Sequence, residues 1–396
     1  MDVALPGQIV TYDFRDPQPL EPATEIPRPL RVVQWNIERG YKLDAVLEIL
    51  QELDADILCL QEIDIGNTRS GNTNHAQIIA QRLKLNAGVV IEFQELRSPC
   101  RARCDQGGGI HGNAVFSKFD MEFRAVHTHQ PFDWPRHGMR VFEPRLGRRV
   151  TLAATIRVPR RPPVLAYSAH FECFTGIVGR THQICDLLHD SSHSSIPHQL
   201  VFGDFNTFAH SLARFSPKHS HGWHRFRTLG MSEPEWWMEN ILSWSATDGP
   251  LNLRINTKMP EHLRFSKETT MRAVNPGWYD PFDPVRDVTI SNHGGWMTAK
   301  ADWAFVRQFR MVRHWMANRD FAASDHRCLV LEVEHALESI VCEHIEANKR
   351  VALELRRKRT SRLWSWCSLA VATMLSCVAF KIAKYNTVSR IPFMPA

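Results

Sequence analysis

The sequence predicts an α/β protein followed by one membrane-spanning helix. Short runs rich in Val, Ile and Leu alternate with stretches of helical periodicity. Many of those runs end in a polar residue, and a late segment, 363–380, carries no charge at all. At 396 residues the chain can bury a full core and hold one large or two smaller domains. It is 43% hydrophobic and 23% charged, which is globular composition. A net charge of +6 suits an anionic partner such as phosphate, nucleic acid or a membrane surface. The 20 His show no zinc-site spacing, and the nine scattered Cys indicate a reducing compartment without a disulfide framework.

Residues 1–30 contain six prolines and no apolar core segment. They are expected to be a flexible or surface-draped lead-in, not a signal peptide. The alternation then begins. Residues 31–37 read as a strand. Leu43, Val46, Leu47, Leu50 and Leu53 repeat at helical spacing, and 57–60 is a second strand. A helix is expected over 76–83, a strand over 89–93, a glycine turn at Gly107–Gly109 and a strand over 114–117. Residues 150–158 and 164–170 pair as a hairpin across the proline-rich turn 160–163. A helix over 180–189 and a strand over 200–202 follow. The last strands are 303–306 and 328–333. Between Asn206 and Asp302 periodicity is weak, and Trp, His and Pro are frequent. That interval, 207–300, reads as an ordered insertion with a helix over 233–242, its tryptophans mostly packing it.

The end of the chain changes character. Residues 336–362 read as a helical stalk closing on Arg356-Arg357-Lys358-Arg359. Residues 363–380 are long enough to span a bilayer. Trp364 and Trp366 suit the interface, and the stronger basic flank precedes the span. The expectation is a tail anchor with the large domain in the cytosol, at the endoplasmic reticulum or the mitochondrial outer membrane, and a short tail over 381–396.

Polar residues at strand ends carry the chemistry. Gly203-Asp204-Phe205-Asn206 ends an apolar run. Residues i and i+2 of a strand share a face, so Asp204 and Asn206 would project together. The pattern also makes ordinary turns. Asn36 and Glu62 end two earlier strands and could share a sheet edge. A single Glu with waters is enough for Mg²⁺, which keeps much of its hydration. His170 ends another run, and Asp302 opens one. In Ser324-Asp325-His326 the Asp and His would point to opposite faces if both lay in a strand. Gly107–Gly109 with His111, Gly112 and Asn113 could bring backbone N–H groups to a phosphate. The arginines 136, 140, 145, 148, 149, 157, 160 and 161 form either a solvated loop or an anion-binding rim.

Trp35-Asn36, Leu60-Gln61-Glu62, Gly112-Asn113-Ala114-Val115-Phe116-Ser117, Ser168-Ala169-His170, Gly203-Asp204-Phe205-Asn206, Ala301-Asp302-Trp303 and Ser324-Asp325-His326 stand in one order. Over 31–335 this resembles the endonuclease/exonuclease/phosphatase superfamily, which includes DNase I-like nucleases, inositol polyphosphate 5-phosphatases and neutral sphingomyelinases. Trp303 stands where many members carry Tyr. The insertion has no counterpart in the resemblance. The resemblance implies a four-layered α/β sandwich, two mixed sheets face to face with helices outside. It also implies Mg²⁺-assisted attack of water on a phosphoester, with Mn²⁺ as the substitute ion. Glu62 is then a metal ligand supported by Asn36, with Asp325 a further acid near the metal. Asp204 orients or deprotonates the water. Asn206 and His170 hold phosphoryl oxygens. Asp302 pairs with His326, which stabilises charge or acts as the base. Asn113 and Arg148 are the expected substrate contacts. With the membrane segment, the expected substrate is a lipid head group or another membrane-associated phosphate ester. The alternatives are a tethered nuclease and a non-catalytic scaffold.

Overall fold

The computed structural model describes residues 4–16, 28–127, 129, 144–207, 232–245, 248, 267–295 and 297–361. In chain order its strands begin with β1 (Ile9–Asp13), β2 (Leu30–Asn36), β3 (Ile57–Ile65), β4 (Asn86–Glu95) and β5 (Ile110–Ser117). Next come β6 (Asp120–Val126), β7 (Arg145–Gly147), β8 (Thr151–Arg157), β9 (Val164–His170) and β10 (Gln199–Asp204). The last are β11 (Ile290–Asn292), β12 (Met297–Ala299), β13 (Asp302–Arg307), β14 (Phe309–Ala317) and β15 (Cys328–His335). One sheet has the order β1-β4-β5-β3-β2-β15-β14, with β7 added on β4. A second has the order β13-β10-β9-β8-β6. Each contains one parallel pair, β2–β3 in the first and β9–β10 in the second, among antiparallel neighbours. The parallel pairs exist because a helix crosses between their strands: α1 (Leu43–Leu53) in the first case, and α3 (Gly176–His193) in the second, with α2 (His75–Leu83) lying between them in sequence.

The two sheets stack. Val32, Cys59 and Val115 of the first share a buried cluster with Ala166, Phe202 and Ala304 of the second. The other face of the first sheet, with Val33, Leu58 and Phe116, buries Val46, Leu50 and Ile79 of α1 and α2. This is the apolar stripe expected from the spacing of Leu43 to Leu53. On the outer side of the second sheet, Trp237 of α4 (Glu233–Trp237) lies 5.8 Å from Trp303, and Trp278 stacks on Phe305 at 5.3 Å. The molecule is therefore a mixed α/β sandwich built on two large mixed sheets.

Three expectations change. Residues 9–13 of the expected lead-in are strand β1, paired with β4 through Ile9↔Val90 and Asp13↔Asn86. Val10 and Tyr12 pack on the core, which gives this short segment its hold. Residues 336–340 of the expected stalk do not belong to a helix: β15 runs to His335, opposite Phe309, with Leu331 and Val333 pointing inward while Glu332 and Glu334 alternate outward. The helix spans 341–361. The edge strands β6 and β14 were not among the expected elements. In the expected insertion, the helix over 233–242 forms as α4 followed by a π-helical turn, and Trp236, Trp237 and Trp278 are buried packing residues. Trp223, Trp296, Arg136, Arg140 and the membrane segment 363–380 lie outside the described residues. Among the described residues, no helix is long and apolar enough to cross a membrane.

Candidate active site

The strand ends meet at one edge of the sandwich. In the second sheet Asp204 sits opposite His170 on its parallel neighbour and opposite Asp302 on its antiparallel one. In the first sheet Asn36 sits opposite Gln61. β15 runs antiparallel to β2, so His326, just before β15, returns to the same edge. Every one of these positions ends or precedes an apolar run, and that placement puts polar side chains at the rim of a core that could not otherwise hold them.

Asp204 is the hub. Its Oδ1 accepts from the Asn206 amide at 2.8 Å, and its Oδ2 accepts from Asn36 Nδ2 at 3.0 Å. His170 Nε2 lies 3.4 Å and His326 Nε2 3.7 Å from Oδ2. Burial and the charge of Asp302 push the Asp204 carboxyl up to about 6, against the pull of His326. His326 Nδ1 pairs with Asp302 Oδ2 at 2.7 Å, which leaves Nε2 facing Asp204. Burial opposes a charge on His326, but Asp302, Asp204 and Asp325 outweigh it and hold the imidazole well above its ordinary value. His170 goes the other way: burial, Arg149, His111 and His326 keep it neutral. Asp302 is itself fixed by Gln34 Nε2 at 2.9 Å and by its own amide on Thr289 Oγ1.

A second group of oxygens lies beside this hub. Glu62 occupies a bulge between Leu60 and Ile63 with φ of 62°, a left-handed conformation that turns its side chain out of the strand's alternation. Burial would raise the Glu62 carboxyl, but the charges of Arg39, His111, His326 and Arg149 hold it below its ordinary value. Burial and the negative charges of Glu62 and Asp302 raise Asp325. Burial and Asp325 likewise raise Glu38, whose Oε2 accepts from the Asp325 amide at 3.1 Å. These carboxylates are hard oxygen donors of the kind a divalent cation takes, and Asn36 Oδ1 accepts from the Glu38 amide at 3.1 Å. Asp325 and His326 were expected to diverge only if both lay in a strand. They precede β15 instead of lying in it, and their side chains approach to 3.8 Å.

The remaining expected residues divide. Asn206, at φ 51°, gives one amide hydrogen to Phe171 O at 2.9 Å. Asn113 is fully buried, with Nδ2 on Val150 O at 3.2 Å. Arg148 is only half-buried, and its backbone amide serves Glu92 O. The neighbouring Arg149 enters the cluster, its Nη1 3.0 Å from Glu92 Oε2. Three residues carried no sequence signal of their own. Gln34 links Asp302 to Gln61, and Gln61 continues to Ser168 Oγ at 3.0 Å. Glu92 and Glu172 neutralise Arg149 from two sides. All sit inside strands or loops whose apolar neighbours conceal them. An acid or amide within an otherwise apolar strand was the available cue.

A family profile described as Endonuclease/Exonuclease/phosphatase family matches residues 33–326. No curated protein matches the chain. Among solved structures, an endonuclease/exonuclease/phosphatase from Beutenbergia cavernae DSM 12333 is 16% identical, with a TM-score of 0.44 over 78% of this chain and 72% of that one. ANGEL2, a 2',3'-cyclic phosphatase, is 15% identical with a TM-score of 0.45 over 78% and 96%. The catalytic domain of human nocturnin, with bound sulfate, is 18% identical with a TM-score of 0.39 over 83% and 97%.

Proposed function

The chain belongs to the endonuclease/exonuclease/phosphatase family, a metal-dependent class of phosphoric ester hydrolases, and from that premise we propose a Mg²⁺-dependent phosphoesterase acting at a membrane, with Asp204 as its general base. The observation that carries the role of Asp204 is its buried carboxyl, raised to about 6 between His170 and His326. A base works best when its pKa lies near the operating pH. Asp204 Oδ2 takes the proton of the attacking water. His326, held protonated through Asp302, presents Nε2–H to the charge that grows on the phosphoryl oxygens. His170, kept neutral, and the second amide hydrogen of Asn206 orient the same oxygens. Glu62, Asp325 and Asn36 are the residues that would hold the metal, and a bound Mg²⁺ supplies Lewis-acid neutralisation of the ester anion. Mn²⁺ satisfies the same oxygen donors.

The substrate class we propose is a phosphorylated lipid head group or another membrane-associated phosphate ester. Support comes from the charge-free segment 363–380 and the basic run Arg356-Arg357-Lys358-Arg359 before it, which together suit a span at the endoplasmic reticulum or mitochondrial outer membrane. Nucleic acid is the second reading, favoured by the net charge of +6 and by exposed Arg310 and Arg313 on edge strand β14. The test is turnover by the purified full chain with Mg²⁺ against sphingomyelin vesicles, phosphoinositide vesicles, RNA and DNA, with Asp204→Asn as the blank. Release of a head group or of phosphate from vesicles, abolished in the variant, is the expected result. Hydrolysis of nucleic acid alone would overturn the lipid reading.

A further inference from the structure

We propose that Glu92, His111 and His170 form a second metal site, of transition-metal type and suited to Zn²⁺, on the ring nitrogen of His170 that does not face Asp204. The three residues come from β4, β5 and β9, on both sheets, and all are buried. Each offers a ligand atom, and these atoms lie within 4.8 Å of one another. For metal–ligand bonds of ~2.0–2.1 Å, a tetrahedral site needs them about 3.3 Å apart. A bound ion would draw the three side chains to that spacing.

Each donor is already oriented from behind. His111 Nδ1 is bonded to Asp64 Oδ1 at 2.8 Å, which leaves Nε2 as its ligand atom. Asp64 is in turn gripped by Arg69 through two bonds of 2.8 Å. Glu92 accepts from the Val150 amide at 3.2 Å and from Arg149 at 3.0 Å. Hydrogen-bonded imidazoles and carboxylates of this kind are the usual outer partners of metal ligands. His170 Nδ1 has no hydrogen bond despite its burial. Asn113 Oδ1 is also buried without one, and Asn113 lies two residues from His111, on the same face of β5. Buried polar atoms are normally paired, so an unpartnered imidazole nitrogen grouped with a second imidazole and a carboxylate fits a cation. Two nitrogen donors select Zn²⁺ over Mg²⁺. A metal on Nδ1 fixes the His170 proton on Nε2, the atom turned toward Asp204.

Binding is read with Co²⁺ on the full chain in excess Mg²⁺, so that the result stands apart from any turnover and from the identity of the ester. One equivalent of Co²⁺ with visible d–d bands, displaced by Zn²⁺ and not by Mg²⁺, is expected. The bands vanish in His111→Gln, and affinity falls about 10- to 100-fold in Asp64→Asn, whose residue only orients His111. Should His111→Gln lose its native circular dichroism, Glu92→Gln replaces it, because its carbonyl oxygen still serves the Val150 amide. Undiminished bands in the folded ligand variant, or no Co²⁺ bound by the unaltered chain, would overturn the site.

Discussion

At the scale of single residues, the assignment of Asp204 and His326 rests on the opposite directions in which one environment moves them. Asp204 must be deprotonated and His326 protonated for the proposed reaction. Log kcat/KM should therefore rise with pH through about 6 as Asp204 ionises, and fall again when His326 loses its proton. Asp302 raises both groups. Asp302→Asn should move both limbs of the profile to lower pH, and unmoved limbs would refute the pairing. Asp204→Asn should lower kcat by roughly 10²- to 10⁴-fold, the usual worth of general-base help, with little change in KM; a loss confined to KM would assign Asp204 to binding alone. The residues of this machinery were legible because each stands where an apolar run stops. Glu92 and Gln34 were not, since they lie within strands, where alternation assigns a position to the core irrespective of chemistry. Arg149 was one arginine among many, and only the fold distinguishes it from Arg148.

At the scale of elements, the site depends on how closely β9 and β10 approach. A Cβ on Gly203 would sit 2.1 Å from the carbonyl oxygen of Ala169. Those two residues immediately precede Asp204 and His170 and are paired in register. Gly203→Ala must push the strands apart where their ends carry the chemistry. Overpacking of this kind costs about 1–3 kcal/mol. The expected result is a lower Tm together with a fall in kcat at temperatures where the variant stays folded. A fall in Tm alone would show that the strand ends tolerate the displacement. Central strands were readable from their Val- and Ile-rich runs. Edge strands β6 and β14 bury one face only, and their charged outer positions dilute the signal. β1 is five residues long in a proline-rich neighbourhood, and only its pairing with β4 makes it a strand.

At the scale of the whole molecule, the contacts that matter most join residues far apart in the chain. Gln34 reaches Asp302 across 268 positions, and Ser168 reaches Leu60 across 108. No local pattern encodes such pairings, so the meeting of the sheets was reachable only through the ordered set of motifs. The part of the chain called an insertion is tied in by the same means. Arg180, in α3, makes a two-bond pair with Glu233, in α4, both buried. Arg180→Ala would take a two-bond cationic partner from a buried carboxylate, a change that costs ~3–5 kcal/mol and should appear as a large drop in Tm. Removing residues 362–396 takes away none of the described fold. The shortened chain should cleave a water-soluble ester such as bis(p-nitrophenyl) phosphate at the same rate as the full chain. On phospholipid vesicles it should lose most of its activity, because the full chain gains effective concentration from sharing a surface with its substrate. Parallel assays of both proteins on both substrates separate the reaction from its location. Equal loss on both substrates would mean that 362–396 supports the catalytic unit itself, and no loss on vesicles would remove the membrane from the account of function.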